Sequence, residues 1–176
     1  MEIEIANKVI KFEKYELLID LISELSDTVA FRIPNREKAI EKYSDGKNMA
    51  EFDGCKKRMT ELFEKARIDG DILNSYETDD GCFEVYVLFL SEKVKSFLEK
   101  RRSLYRWKYP RRPEDLCFFK NGKCVMRSVT HEKRCFLYVD KRKILNILER
   151  GGLRFNVRDG AETLVLTGEN RVEKMK

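Results

Sequence analysis

One dipeptide constrains this chain more than any other feature. Asn121-Gly122 sits between two apolar runs, Leu116 to Phe119 and Cys124 to Met126. Asn-Gly favours positive φ at both central positions, which is the geometry of a type I′ turn between twisted antiparallel strands. The turn predicts a hairpin in which Phe119 faces Cys124 and Cys117 faces Met126. Side chains alternate across a strand, so this register places those four on one sheet face, with Cys135 and Leu137 joining from the next strand.

The other elements follow from periodicity. Ile3 and Ile5 suggest an initial strand in residues 1–12. Tyr15, Leu18, Ile19 and Ile22 recur at helical spacing and predict a helix over 14–25. Thr28 to Ile33 is β-branched and aromatic and ends at Pro34, so it reads as a strand. Lys38 to Tyr43 suggests a helical turn. Asn48 and Glu51 have capping-box spacing ahead of a second helix over 49–67, with Phe52, Cys55, Met59, Leu62, Phe63 and Ala66 in one stripe. Cys82 to Leu90 reads as a central strand, and Ser91 as the cap of a helix that buries Val94, Phe97 and Leu98. Arg134 to Val139 returns as a strand. Asp140 is placed to cap a helix carrying Ile144, Leu145 and Leu148, closed by Gly151 and Gly152. Leu153 to Val157 and Thr163 to Leu166 flank Asp159-Gly160, a second expected hairpin. Together these predict an α+β fold, one domain over 1–176, with a mainly antiparallel sheet and helices packed on it.

Composition narrows the class. The chain has 176 residues, 42% of them apolar and 38% charged, with apolar positions spread between the charges. That pattern fits one packed core and not a disordered chain. The start Met1-Glu2-Ile3-Glu4 lacks the basic and apolar regions of a signal peptide, and the run near Val85 to Leu90 is too short to span a bilayer. A cytoplasmic protein with reduced thiols is expected, its five cysteines being few and odd in number.

Charge is unevenly divided. Residues 1–88 hold 13 Lys and Arg against 20 Asp and Glu (−7), whereas residues 89–176 hold 23 against 11 (+12). Such polarity can attract a charged partner, or it can be neutralised internally across the fold.

No residue set reads as a catalytic centre. Cys117, Cys124, Cys135 and His131 form the conceivable zinc set, but no CxxC pair exists and the gaps do not match zinc spacing, so core cysteines without metal are expected. His131 is the only histidine and falls in a turn. Asp69, Asp71, Glu77, Asp79 and Asp80 lack the alternation of a calcium loop and read as solvated loop acids. Glycine-rich nucleotide motifs and the serine-hydrolase elbow do not occur, so no cofactor is expected.

The segment Arg101 to Arg112 (RRSLYRWKYPRR) is the strongest candidate for binding. It combines five Arg, one Lys, two Tyr and the only Trp without an acid. Arg101, Arg102, Tyr105, Arg106, Trp107, Tyr109, Arg111 and Arg112 suit a protein hot spot. The same set suits stacking on bases and pairing with phosphates, so a small RNA- or DNA-binding protein is the alternative reading. A structural role, with the aromatics in the core and the arginines solvated, fits the composition as well.

Trp107, Tyr109, Pro110, Arg112-Pro113-Glu114-Asp115-Leu116-Cys117-Phe118-Phe119, Asn121-Gly122, Ser128, His131 and Glu132 together resemble a pattern in small bacterial cytosolic proteins. Some of these carry the label stage III sporulation protein AH, and others are immunity proteins of polymorphic toxin systems. The resemblance spans residues 107–132. It implies a non-enzymatic protein-binding module that neutralises a cognate toxin domain by occlusion, and it carries no established site residues with it.

Overall fold

The computed structural model describes residues 1–35, 37, 46–108, 112–139, 142–158 and 164–174. Four α-helices and ten strands lie among them: β1 (Glu2–Ile5), α1 (Glu13–Leu25), β2 (Thr28–Pro34), α2 (Gly46–Ile68), β3 (Ile72–Glu77), β4 (Phe83–Phe89), α3 (Glu92–Glu99), β5 (Glu114–Lys120), β6 (Lys123–Val129), β7 (Arg134–Tyr138), α4 (Arg142–Arg150), β8 (Phe155–Arg158), β9 (Leu164–Leu166) and β10 (Val172–Lys174). The strands form one sheet in the order β3-β4-β2-β5-β6-β7-β1-β8, and β9 joins β6 and β10 off that path. All the pairings are antiparallel, so the fold is α+β as expected. No described helix is long and apolar enough to cross a membrane.

The helices share one side of the sheet. Leu18, Ile19 and Ile22 of α1, Phe52 and Met59 of α2, Val94 and Leu98 of α3, and Ile144 and Leu148 of α4 enter one buried cluster. Ile3, Val29, Phe31, Phe118, Met126 and Leu137 reach the same cluster from the strands. A second, smaller cluster lies on the opposite face, where Ala30, Val87, Phe119 and Cys124 meet Leu164, Leu166 and Val172 of the β9–β10 pair.

The Asn-Gly hairpin forms as expected, with φ of 49° at Asn121 and 76° at Gly122. Gly122 has a further role: a Cβ there would lie 3.2 Å from the Leu166 carbonyl oxygen, and the Gly122 carbonyl accepts from the Leu166 amide at 2.7 Å. The turn is therefore also where β9 docks.

The register beyond the turn departs from the two-residue expectation. Phe119 pairs with Cys124, but the next pairs are Phe118 with Met126 and Cys117 with Arg127. One extra residue on β6 makes a bulge, which turns every side chain beyond it to the other face. Val125 and Met126 consequently both enter the main core. Cys117 and Cys124 stay together on the opposite face, whereas Cys135 and Leu137 lie on the helix side. The expectation that all three cysteines share a face is thus corrected.

Two other expectations change, and one strand had no sequence reading. Strands β8 and β9 are not the paired arms of the expected hairpin: β8 pairs with β1, and β9 pairs with β10 and β6. Helix α2 is already under way at Gly46, so Asn48 lies within it and not at its cap. Strand β3 hairpins with β4 through residues 78–82, in sequence too polar to announce a strand. The expected turn at Lys38 to Tyr43, the Asp140 cap and the Asp159-Gly160 turn fall outside the described residues.

A buried polar chain joins three elements. The Trp107 indole N–H donates to the Tyr15 hydroxyl at 3.0 Å, and that hydroxyl donates to the Leu98 carbonyl at 2.7 Å. Trp107 and Tyr15 are both 0% exposed. Burial drives the Tyr15 phenol far above its ordinary value, so it stays protonated and can make both bonds. Tyr15→Phe should strand the buried Trp107 donor at little change in shape, while the Leu98 carbonyl keeps the Arg101 amide at 3.1 Å. The expected loss is about 1–3 kcal/mol of unfolding free energy, measured by urea denaturation followed through Trp107 fluorescence.

Candidate functional site

The basic segment is half structure and half surface. Its start is pinned to the chain before α1, where the Phe12 amide donates to the Arg102 carbonyl (3.0 Å) and the Leu104 amide to the Ile10 carbonyl (3.1 Å). Phe12 and Arg102 both have positive φ, 50° and 52°. Side chains with a Cβ reach that region at a cost of about 1–3 kcal/mol. Phe12 nevertheless leaves 60% of its surface exposed. Leu104 and Trp107 are fully buried, and the Tyr105 hydroxyl donates to the Asn7 carbonyl at 3.2 Å. Trp107 packs edge-on to Phe97, with centroids 5.7 Å apart. Trp107 therefore presents no surface to a partner, which corrects its placement among the partner-binding residues. Arg102, Arg106 and Lys108 are exposed, while Tyr109 and Arg111 lie outside the described residues.

Arg101 and Arg112 are the unusual members. Both are half-buried, and they line a shallow depression with Arg58, Cys55 and Pro113 beside the Trp107 ring. The Arg101 guanidinium lies 4.5 Å from the centre of the Phe97 ring, and its buried Nε has no hydrogen-bond partner. Desolvation first, and then the charge of neighbouring arginines, holds both guanidiniums below their ordinary value. Arg112 and Arg58 act on Arg101, and Arg58 and Arg106 act on Arg112. Among the described residues no carboxylate forms a salt bridge with either. Like charges drawn together away from water are unfavourable unless an opposite charge offsets them.

A second concave site lies on the sheet face away from the helices. A cleft of about 420 Å³ opens between β2, β5 and β6 and the β9–β10 pair. Ala30, Val85, Cys117, Leu164 and Val172 give it apolar surface, and Arg32, Arg127, Arg171, Asp79, Asp115 and Glu173 give it charge. The hairpin wall is tied down by the Val172 amide donating to the Tyr76 hydroxyl at 2.8 Å and by Arg171 pairing with Asp79 at 3.1 Å. Sequence reading missed this cleft, because it exists only when β9 leaves β8 and folds back across β6. Arg127 among the apolar residues of β6 was the available signal.

The remaining candidates take structural roles. Asp69 pairs with Lys93, Asp71 accepts from Ser91, Glu77 accepts from Asn35 and Asp79 pairs with Arg171. Asp80 accepts from Thr78 and the Cys82 amide, which lowers its carboxyl. Among the described residues no three His, Cys, Asp or Glu side chains are grouped to hold a metal ion. His131 stands in the exposed turn between β6 and β7, 3.5 Å from Glu132.

No family model, no curated protein and no solved structure matches this chain. What the molecule does must be read from its own chemistry.

All five cysteines are free thiols. Burial pushes Cys55 up to about 11 and Cys124 up to about 12, and raises Cys135 further. Cys117 also rises well above its usual value, by desolvation and then by neighbouring negative charge. Folding favours the protonated thiols, so their contribution is complete below the ordinary thiol value of 9.0 and is lost as pH climbs through 11 and 12. The urea midpoint should accordingly fall between pH 8 and pH 10.5. At pH 8, iodoacetamide should label half-buried Cys82 first and reach Cys55, Cys124 and Cys135 only as fast as the protein unfolds, as read by peptide mass spectrometry.

Proposed function

We propose that this chain is a non-enzymatic protein-binding module of the immunity type, acting in the cytoplasm by covering the active site of a cognate toxin domain. The observation that carries the reading is the half-buried guanidinium pair Arg101 and Arg112, which has like-charged neighbours and no carboxylate salt bridge among the described residues. Acidic side chains of a partner would supply the missing charge, and exposed Arg102, Arg106 and Lys108 would add steering from the rim. Arginine suits this role because its planar fork takes a carboxylate through two parallel bonds. The buried, protonated thiols also favour a binder over a thiol enzyme, since the thiolate is the nucleophile.

Nucleic-acid binding is the alternative. Single-strand binders stack bases on open aromatic faces. In this segment Trp107 is buried, and Tyr105 is half-buried with its hydroxyl occupied. The positive charge remains, but the described stacking surface does not, and this favours the protein partner.

The test is co-purification with the C-terminal domain of a toxin encoded beside this gene, followed by a toxicity assay and calorimetry. Arg101→Gln and Arg112→Gln should each weaken binding about tenfold or more, the effect of removing one desolvated charge pair. The free protein should hold its thermal midpoint or gain slightly, because like-charge repulsion is relieved. If co-expression leaves toxicity unchanged while the protein holds single-stranded RNA tightly at physiological salt, the nucleic-acid reading replaces this one.

A further inference from the structure

The cleft beneath the β9–β10 pair has a charge imbalance of its own, independent of the basic segment. Three guanidiniums line it. Arg32 pairs with Asp115 and lies 4.3 Å from the centre of the Phe83 ring. Arg171 pairs with Asp79 and lies 4.8 Å from the centre of the Tyr76 ring. Arg127 has only the Phe136 ring, at 5.0 Å, and among the described residues it makes no salt bridge. Its Nε is buried without a hydrogen-bond partner, as is the Nε of Arg32. A guanidinium that lines a cavity without a carboxylate partner among the described residues can take an acceptor from outside.

The carboxylates do not fill that need. Asp115 is shared between Arg32 and the Thr130 amide, which donates to its second oxygen at 2.8 Å. Asp79 is 97% exposed and Glu173 is exposed, so solvent screens both. Below the arginines the surface is apolar, from Ala30, Val85, Leu164 and Val172. A volume of about 420 Å³ falls in the ordinary range of small-molecule sites.

We propose that this cleft binds a small amphipathic acid, with a flat apolar body against Ala30, Val85 and Val172 and a single carboxylate, sulfonate or phosphate group on Arg127. The apolar body leaves water for an apolar floor, and the anion completes the one guanidinium of the cleft that makes no salt bridge among the described residues. The β9–β10 pair forms the outer wall, so occupancy also ties this hairpin to the sheet.

The probe is 1-anilinonaphthalene-8-sulfonate, compared with N-phenyl-1-naphthylamine, which has the same rings without the anion. The wild-type protein should bind the sulfonate at one saturable site with enhanced fluorescence, about tenfold or more tighter than the neutral amine, as one charge-assisted pair provides. Arg127→Met keeps the aliphatic stem and should abolish that difference while leaving the amine within about twofold of its wild-type affinity. Val172→Phe narrows the cleft and should weaken both probes. Near-UV circular dichroism checks that each variant retains its packing. No saturable binding to the wild-type protein would overturn the site. Equal affinity of the wild-type protein for the two probes would overturn the acid assignment even if Arg127→Met fails to fold.

Discussion

The hydrogen-bonded chain from the Trp107 indole through the Tyr15 hydroxyl to the Leu98 carbonyl is the constraint on which the rest of this structure leans. None of its groups reaches water, so each must find its partner inside the protein or destabilise the fold. It joins α1, the end of α3 and the basic segment in one arrangement. Arg101 and Arg112, either side of Trp107 in sequence, are thereby carried to the same depression beside its ring. Their crowding is a consequence of where the indole must sit, and the core supplies the stability that tolerates it.

The second determinant is the bulge at Phe118–Phe119 and Cys124–Met126. A regular ladder would have carried Met126 toward the open face. With one extra residue, Val125 and Met126 both serve the helix-covered core, and Arg127 turns to the face that holds the cleft. The same irregularity separates Cys135 from Cys117 and Cys124 across the thickness of the sheet. Gly122, at the adjacent turn, admits β9 closely enough to build the opposite wall. Cleft and thiol placement thus follow from three consecutive residues and a missing side chain.

Much of the architecture was legible in the sequence because it rests on local pattern. The apolar stripe of α1 and the Asn121-Gly122 turn each act over a few residues, and both stand where the pattern places them. Ser91 likewise caps α3, accepting from the Val94 amide at 3.4 Å. What escaped depends on distant partners. Leu153 to Val157 has strand character, but only the tertiary fold decides that β8 pairs with β1. Strand β3 carries Asn74, Ser75 and Glu77 because it lies at the sheet edge, where polar residues are tolerated. In the basic segment, composition named the residue types without ordering them by depth. The ring most suited to a hot spot is the one that the core claims.

Strand β1 raises a question of timing. It is made before the other described strands, yet Ile3 lies between Leu137 of β7 and Val157 of β8. Until those strands emerge from the ribosome, an apolar stretch has neither of its neighbours. The β3–β4 and β5–β6 hairpins can close early, whereas β1 can be paired only after β7 and β8 have been made. A nascent chain of this kind exposes an unpaired apolar strand until β7 and β8 follow, and slow elongation over that interval lengthens its exposure to aggregation.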